Sequence, residues 1–355
     1  MRVLIIADDL TGALDTTCRF GKGSAVLLSG EADADFVGVT TDSRLLRPEE
    51  ARSRVREILN LFPSWQYLYK KVDSTMRGNV GAELGEICEF LNAEMPFTPA
   101  YPEQGRIVID GTLYVRGKLL EETSYAKELP ITSSNILEIL RSTTNLRVGY
   151  WEDRDAMIRT FRNIRERRDL SEAMETIIDE GLRVMGGSAG LAIELSEFLG
   201  CERGDEVRAH GPVLFLSGSG NEVTREQFSV LAREVPVFGY DEEGIRSSRR
   251  RLLEGADAAM LFDLGKALKG IRELVDLIID SRPSALVVVG GETLRAVLRQ
   301  LEVSAIRMGS YPEDGVAAGW IVGGPLDGTP LISKAGGFGD PETLLRVLRI
   351  IKELG

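Results

Sequence analysis

The chain has 355 residues, more than one compact core usually holds, so two domains are expected. Hydrophobic residues make up 43% and charged residues 28% of the chain, an ordinary balance for a globular protein. The net charge of -12 argues against broad binding to nucleic acid or to anionic membranes, because like charges repel, and neither partner is expected.

Short apolar runs alternate with helix-length runs along the chain, which predicts an α/β fold with parallel sheets built from βαβ units. The predicted strands are Val3–Ile6, Ala25–Leu28, Phe36–Thr40, Tyr67–Val72, Ile107–Ile109, Val213–Leu216, Ala258–Leu261 and Leu286–Val289. The predicted helices are Pro48–Leu61, Val80–Leu91, Asp153–Arg167, Ala189–Phe198, Val223–Ala232, Lys266–Ser281, Thr293–Leu301 and a last one from Asp340 or Pro341 to Glu353.

A domain boundary is expected at the polar segment from Gly200 to Gly211, which contains three glycines and precedes Pro212. The strand-then-glycine pattern restarts directly after it, in VLFLSGSGN. We therefore predict one domain over residues 1–205 and another over residues 210–355. Each is expected to be a mostly parallel sheet flanked by helices, with the active site in the cleft between them.

Two segments of the first domain end an apolar strand in a burst of charged and hydroxyl residues: IADDLTGALD and KKVDSTMRGNVGAE. Ligand crevices form at the carboxyl ends of parallel strands, so both bursts are expected in one cleft. Carboxylates for hydroxyl groups, together with cations for an anion, suit a small polyhydroxy acid. The candidate residues are Asp8, Asp9, Lys71, Asp73, Ser74 and Arg77.

Simpler structural roles remain open for the same residues. Lys71 and Asp73 share one face of their strand, with Lys70 and Val72 on the other, and a salt bridge beside a capped helix is as consistent as a site. Asp8-Asp9 is also consistent with an N-cap aspartate and an exposed neighbour. The segment from Gly105 to Thr123 alternates like a hairpin, so Arg106 is expected either in the cleft or on the surface.

Three glycine-rich turns mark the second domain: LSGSGNEVTREQ, VVVGGETLRAV and SKAGGFGDPETL. Glycines allow the backbone to approach phosphate oxygens closely, and the helix start that follows carries a partial positive charge. Ser217, Ser219, Thr293 and Lys334 would add donors. The chain contains neither a GxxxxGK[ST] P-loop nor a complete GxGxxG fingerprint, so a nicotinamide enzyme is weakly supported.

Rare residues exclude further classes of site. The three cysteines, Cys18, Cys88 and Cys201, are far apart, so neither a disulfide framework nor a zinc ribbon is expected, and a reducing cytoplasm fits. The single histidine, His210, rules out His-based triads and HExxH zinc sites, and is interpreted as a solvated linker residue. No apolar run approaches the roughly 20 residues of a membrane span.

Taken together, these motifs resemble the four-carbon acid sugar kinase family. The matching segments are IADDLTGALD, KKVDSTMRGNVGAE, PEQGR, GGSAGLA, SGSGNEVTREQ, VVGGET and KAGGFGD, and they span nearly the whole chain. The resemblance implies a sugar-acid domain followed by a nucleotide domain. It further implies transfer of the ATP γ-phosphate, with Mg2+, to the terminal hydroxyl of acids such as threonate, erythronate or 3-oxo-tetronate.

The resemblance also assigns residues. The substrate side matches at Asp8, Asp9, Lys71, Asp73, Ser74 and Arg77, with Asp73 and Asp9 as candidate bases and Lys71 as a further catalytic residue. The nucleotide loops match at Ser217, Gly218, Ser219, Gly290, Gly291, Glu292, Thr293, Lys334, Gly336, Gly337 and Gly339. The chain departs from the family in being shorter between about 145 and 190, and in reading SYAKELP where the family has Phe-x-x-Asp-Pro.

The sequence thus predicts a cytoplasmic kinase whose partners are ATP and a small sugar acid, with Mg2+ as metal and a homodimer allowed. Two alternatives remain. A hydroxy-acid dehydrogenase would bind a nicotinamide and release no ADP. A non-catalytic sensor would bind a sugar acid or nucleotide without turnover.

Overall fold

A computed structural model of the chain describes residues 1–30, 33–128, 131–263, 265 and 271–353. The fold is mixed α/β, as predicted, because short apolar strands alternate with amphipathic helices. The chain divides into two compact units, Met1–Thr16 with Asp35–Cys201, and Thr17–Ala34 with Glu202–Gly355. The predicted division at 205–210 assigned residues 17–34 to the first domain, and it stays a prediction.

The first unit contains a parallel sheet in the order β3-β1-β4-β11-β5-β10-β9. Its strands are β1 (Val3–Ala7), β3 (Phe36–Thr40), β4 (Tyr67–Lys71), β5 (Met95–Thr98), β9 (Val148–Tyr150), β10 (Ile158–Thr160) and β11 (Val184–Gly187). All residues of β1 and β4 are buried, as expected for parallel strands covered on both faces. An antiparallel sheet of β6 (Arg106–Ile109), β7 (Thr112–Val115) and β8 (Lys118–Leu119) confirms the predicted hairpin.

The helices of this unit are α1 (Leu10–Thr17), α2 (Pro48–Leu61), α3 (Val80–Leu91), α4 (Tyr125–Glu128), α5 (Ile136–Arg141), α6 (Arg167–Asp179) and α7 (Ala189–Phe198). Three of them, α2, α3 and α7, have the predicted bounds. The predicted helix Asp153–Arg167 is wrong. That segment contains strand β10, and the helix begins only at Arg167.

The second unit contains a sheet in the order β13-β14-β12-β15-β18-β17-β16-β2, parallel as far as β18 and antiparallel beyond it. Its strands are β2 (Ser24–Leu27), β12 (Val213–Ser217), β13 (Val237–Phe238), β14 (Ala258–Leu261), β15 (Ala285–Val289), β16 (Ala305–Met308), β17 (Val316–Val322) and β18 (Pro330–Lys334). Its core includes Phe215, Val287 and Ile332 from the central strands.

The helices of the second unit are α8 (Glu222–Leu231), α9 (Glu242–Leu253), α10 (Ile271–Ser281), α11 (Gly291–Gln300) and α12 (Thr343–Lys352). Helix α9 contains an arginine-rich stretch, Arg246–Arg251. Residues 266–270 of the predicted helix Lys266–Ser281 lie outside the described residues. Within the described ranges, no helix is both long and apolar enough to cross a membrane.

Candidate functional site

The central strands of the first unit end level with one another. Ala7 pairs in register with Thr40 on one side and with Lys71 on the other. The residues that follow β1, β3 and β4 therefore emerge at one edge of the sheet, the edge where parallel sheets bind ligands. The two predicted bursts lie here, together with a third one, TDSR, that follows β3.

Arg44, in that third burst, joins the two aspartates of the first. Its Nε and Nη2 donate to Asp8 Oδ2 and Oδ1 at 2.6 and 3.0 Å, and its Nη1 lies 2.8 Å from Asp9 Oδ2. Burial opposes ionisation of Asp8, but the Arg44 guanidinium outweighs it and holds the pKa of that carboxyl below its usual range. The sequence analysis missed Arg44, although its place after a strand end was a usable signal.

Asp9 caps helix α1. Its Oδ1 accepts from the Gly12 backbone N–H at 2.8 Å and its Oδ2 from the Thr11 hydroxyl at 3.0 Å. The cap interpretation of Asp9 is thus confirmed, while its neighbour Asp8 is buried rather than exposed. A Cβ at Gly12 would lie 2.5 Å from Asp9 Oδ1 and 3.2 Å from Lys71 Nζ, so glycine is what lets the Lys71 ammonium reach this turn.

Asp73 and Arg77 form a close ion pair in the turn after β4. Arg77 Nε and Nη2 donate to the two oxygens of Asp73 at 2.7 and 3.2 Å, and the Thr75 hydroxyl also donates to Asp73. Burial works against the charge, but Arg77, with Arg44 nearby, holds the pKa of Asp73 well below its usual range. A salt bridge at this strand end, which the sequence left open, is therefore present, but the partner of Asp73 is Arg77 and not Lys71. The pair lies within the same charged cluster.

Two polar groups in this cluster make no hydrogen bond within the described part of the chain. Lys71 is only 7% exposed, and among the described residues its ammonium has no hydrogen bond or ion pair. The Ser74 hydroxyl is buried and likewise has no partner within that part of the chain. Buried polar groups are normally satisfied, so these two are the groups best placed to bind a ligand.

Lys70 illustrates the contrast expected from strand alternation. It is fully buried on the opposite face of β4, where it pairs with Glu83 of α3 and donates to the Lys71 carbonyl. The Ser43 hydroxyl donates to the other oxygen of Glu83 at 2.6 Å. This pair anchors the segment that carries Arg44 to α3, and its members are structural.

The three glycine turns of the second unit also meet at one edge. Ser217, Val289 and Lys334 end β12, β15 and β18 in register. The Ser217 hydroxyl donates to the Val289 carbonyl at 3.0 Å, and the Gly218 N–H donates to Thr293 Oγ1 at 3.0 Å. These two hydrogen bonds hold the first and second turns together.

The third turn is held from two sides. The Thr224 hydroxyl and the Gln227 amide, both from α8, donate to the carbonyls of Gly336 and Phe338 at 2.9 and 3.0 Å. The buried Lys334 ammonium donates to the carbonyls of Ala335 and Phe338, each at 2.7 Å. Burial lowers the pKa of Lys334 to about 7. The hydrogen bonds of the Lys334 ammonium thus stabilise the turn itself. The sequence analysis did not identify Thr224 and Gln227, the two residues of α8 that support the turn.

The remaining predicted nucleotide residues lie along the same loops. Ser219 is half-buried next to the positive-φ residue Gly290, and a Cβ on Gly290 would lie 3.5 Å from Ser219 Cβ. Gly291 begins α11, and Glu292 is exposed in its first turn. Gly336, Gly337 and Gly339 are half-buried in the third turn. Backbone N–H groups near the starts of two helices are suited to binding phosphate groups.

No metal-binding cluster of three His, Cys, Asp or Glu side chains occurs among the described residues.

Comparisons with known proteins agree with this division of chemistry. One family model, a sugar-binding N-terminal domain, matches residues 3–186, and another, a nucleotide-binding C-terminal domain, matches residues 266–344. The D-threonate kinase of Bordetella bronchiseptica is 30% identical over 98% of this chain and 97% of its own. The 3-oxo-tetronate kinase of Pseudomonas fluorescens is 27% identical over 97% of this chain and 95% of its own.

Solved structures share the fold. A Salmonella typhimurium LT2 protein, which carries the name of a tRNA synthase, has a TM-score of 0.82 at 20% identity, with 98% of this chain and 99% of that one covered. This likeness shows the fold alone. A Bordetella bronchiseptica protein, solved with bound citrate as a domain-swapped dimer, has a TM-score of 0.50 at 26% identity over 99% of this chain and 98% of its own.

Proposed function

Since this chain belongs to the four-carbon acid sugar kinase family, we propose that it transfers the γ-phosphate of ATP to the terminal hydroxyl of a small four-carbon sugar acid. The observation that carries this proposal is the charged edge of the first unit. There, beside the carboxylates of Asp8, Asp9 and Asp73, the buried Lys71 ammonium and the Ser74 hydroxyl make no hydrogen bond to any residue that the structure describes. A polyhydroxy acid offers this edge an anion for the cation and hydroxyls for the carboxylates.

At the substrate end, Lys71 binds the carboxylate of the acid or the phosphoryl group in transfer, and Ser74 donates to an oxygen of the same molecule. Arg77 assists while it remains paired with Asp73. Asp8 holds Arg44, and both carboxylates next to that arginine offer acceptors to substrate hydroxyls. The bound citrate of the Bordetella structure supports an anion site in this fold.

Of the two candidate bases, the geometry favours Asp9. A general base works best when its pKa lies near the operating pH. Arg77 and Arg44 hold the pKa of Asp73 well below its usual range, which makes Asp73 a weak proton acceptor. The Asp9 side chain is 25% exposed, compared with 8% for Asp73, so a substrate hydroxyl can reach it more easily. Asp73 then positions Arg77.

At the nucleotide end, the three glycine turns after β12, β15 and β18 bind ATP. Backbone N–H groups at the starts of α8 and α11 receive the phosphates, with Ser217, Ser219 and Thr293 near them. Glu292 and Lys334 support this site, the second by holding its turn in shape. Mg2+ bound with the nucleotide phosphates would neutralise charge during transfer.

Acid-dependent release of ADP tests the function. Mg-ATP is incubated with D- and L-threonate, D- and L-erythronate, their 3-oxo forms and longer sugar acids, and ADP is measured against a sample without acid. We expect release with one or more four-carbon acids, and loss of that release in Lys71→Met. Lys22→Met, at an exposed lysine, is the matched control. ADP release that ignores every acid, or survives Lys71→Met, contradicts the proposal.

We also propose that the protein forms a homodimer, with the domain-swapped Bordetella dimer as support. Light scattering after size exclusion measures the mass directly. A mass near the 39.0 kDa of one chain would contradict the proposal.

A further inference from the structure

Tyr125, the first residue of the short helix α4, lies against two arginines of the first unit. The guanidinium carbon of Arg77 is 5.2 Å from the centre of its ring, and that of Arg106 is 5.7 Å from it. Distances of this size allow a cation to interact with the ring face. The tyrosine thus brings together an arginine of the turn after β4 and an arginine of the hairpin sheet.

Both arginines belong to the charged edge described above. Arg77 is the ion-pair partner of Asp73, and the charge of Arg106 also interacts with Asp73. Arg106 is 1% exposed, so the hairpin carries a buried cation toward this edge and not a surface charge. Tyr125 therefore lies at the border of the proposed sugar-acid site.

The hydroxyl of Tyr125 has a proton to donate. Arg106 Nη2 donates to the phenol oxygen at 3.4 Å, so in this contact the oxygen is the acceptor. No acceptor for the phenol proton is found among the described residues. Tyr125 is half-buried beside two guanidinium groups. A carboxylate or hydroxyl oxygen of a bound acid would accept the hydrogen bond from its hydroxyl.

We propose that Tyr125 is a specificity-determining residue for the sugar acid. Its hydroxyl donates to an oxygen of the bound acid, and its ring holds Arg77 and Arg106 in the orientation that faces the acid. This inference rests on the proposed kinase function and deepens it. It predicts that discrimination between four-carbon acids that differ at one hydroxyl depends on the phenol group, because a polar site rejects a ligand that leaves its donor unpaired.

The test compares Tyr125→Phe, which keeps the ring, with Tyr125→Ala, which removes both ring and hydroxyl. Steady-state kinetics with the best acid and its C2 and C3 stereoisomers give KM and kcat for the acid and KM for ATP. For Tyr125→Phe we expect the KM for the acid to rise about tenfold, the value of one hydrogen bond to a charged group. The preference among stereoisomers should shrink, with KM for ATP and the melting temperature unchanged. Tyr125→Ala should raise the acid KM further.

Tyr150→Phe is the matched control, because Tyr150 also lies on an arginine, Arg162 at 3.7 Å, but at the edge strand β9. Its acid KM should equal that of the unaltered protein. An unchanged acid KM and an unchanged stereoisomer preference in Tyr125→Phe would overturn the inference and leave the kinase function intact. If the unaltered protein neither phosphorylates any acid nor binds one in calorimetry, both proposals fall together.

Discussion

Arg44 illustrates how one side chain can set the charge state of a site. It contacts both Asp8 and Asp9 and lies close enough to Asp73 to influence its ionisation. A buried carboxylate that loses its cation is strongly disfavoured, because its charge is no longer compensated in a medium of low polarity. The stability of this edge therefore depends on a residue that does not have to touch the substrate.

Replacing Arg44 with alanine should lower the free energy of unfolding at pH 7.5 by about 3 kcal/mol, the usual effect of removing one partner of a buried ion pair. The pKa of Asp8 lies below its unfolded value in the native protein, so its ionic contribution is present above about pH 4 and lost as pH falls. In the variant, unopposed burial raises that pKa. The difference in the free energy of unfolding between the unaltered protein and Arg44→Ala should therefore become smaller as the pH falls from 7.5 to 4.5. Urea unfolding at the two pH values measures this difference.

Arg147→Ala serves as the control for this experiment. Arg147 pairs with Asp153 and Asp155 on the surface, so its removal should change stability by less than about 1 kcal/mol at either pH. A loss in Arg44→Ala that is equally small, or one that stays constant with pH, would contradict the role assigned to Arg44.

The two candidate bases are separated by their asparagine variants. Asp9→Asn keeps the helix cap but removes the proton acceptor, so kcat should fall about 100-fold or more. Asp73→Asn weakens the hold on Arg77, so the KM for the acid should change more than kcat does. Steady-state assays of ADP release check both. A larger fall of kcat in Asp73→Asn than in Asp9→Asn would assign the base to Asp73.

At the scale of single residues, the sequence located the charged groups but not their pairing. Asp8, Asp9, Lys71 and Asp73 were predictable because they follow apolar strands, and the parallel register brings strand ends level. That Arg44 would serve two aspartates depends on the path of the chain after β3. No local pattern contains that information.

At the scale of the structural elements, the third glycine turn is held by a lysine of its own strand. Lys334 ends β18 and then folds back, so that its ammonium is enclosed by the carbonyls of Ala335 and Phe338. A turn built around a buried amine keeps its carbonyls inward. This arrangement fixes the shape of the turn, and a backbone site for an anion requires a fixed shape.

Lys334→Met should raise the KM for ATP about tenfold or more while leaving the KM for the acid nearly unchanged, because the turn loses the donor that shapes it. The pKa of Lys334 is about 7, below its unfolded value near 10.4, so between these values the unfolded chain binds more protons. The stability of the unaltered protein relative to the variant should therefore rise from pH 7 to pH 9.5. Urea unfolding across that pH range measures the stability of both proteins. A stability difference that does not change with pH would contradict the buried, structural role assigned to Lys334.

The elements themselves were predictable where local signals agree. Helix α2 begins at Pro48, and α7 begins after the capping residue Ser188, so both bounds follow from the sequence. The error at Asp153–Arg167 has a physical reason. Met157, Phe161 and Ile164 are spaced as on a helix face, yet β10 forms because β5 and β9 pair with it from both sides. Such tertiary pairing overrides a local period.

At the scale of the whole molecule, the second unit is completed by a segment from near the start of the chain. Strand β2 pairs with β16, from Leu27 opposite Ala305 to Ala25 opposite Arg307. Arg19 fastens the same segment, through a 2.8 Å ion pair with Asp314 and a contact with the ring of Tyr311 at 3.8 Å. A prediction that divides the sequence at one boundary cannot assign β2 to the second unit, because β2 precedes that boundary.

A fragment of residues 202–355 should therefore be less stable than the same fragment extended by residues 17–34 through a flexible linker. Without β2, the β16 edge is unpaired and open to association with other chains. Light scattering and thermal unfolding of the two fragments measure this. Equal melting temperatures and an equally monodisperse short fragment would contradict the expectation.

The pairing of β2 with β16 also sets an order of events during synthesis. The partner of β2 is made about 280 residues later. At 5–20 residues per second, this delay is on the order of 15 to 55 s. During this delay the apolar run Ala25, Val26 and Leu27 has been made, but β16, its partner in the second unit, has not. The first unit has all of its sequence by Cys201. It can therefore fold while β2 still lacks β16.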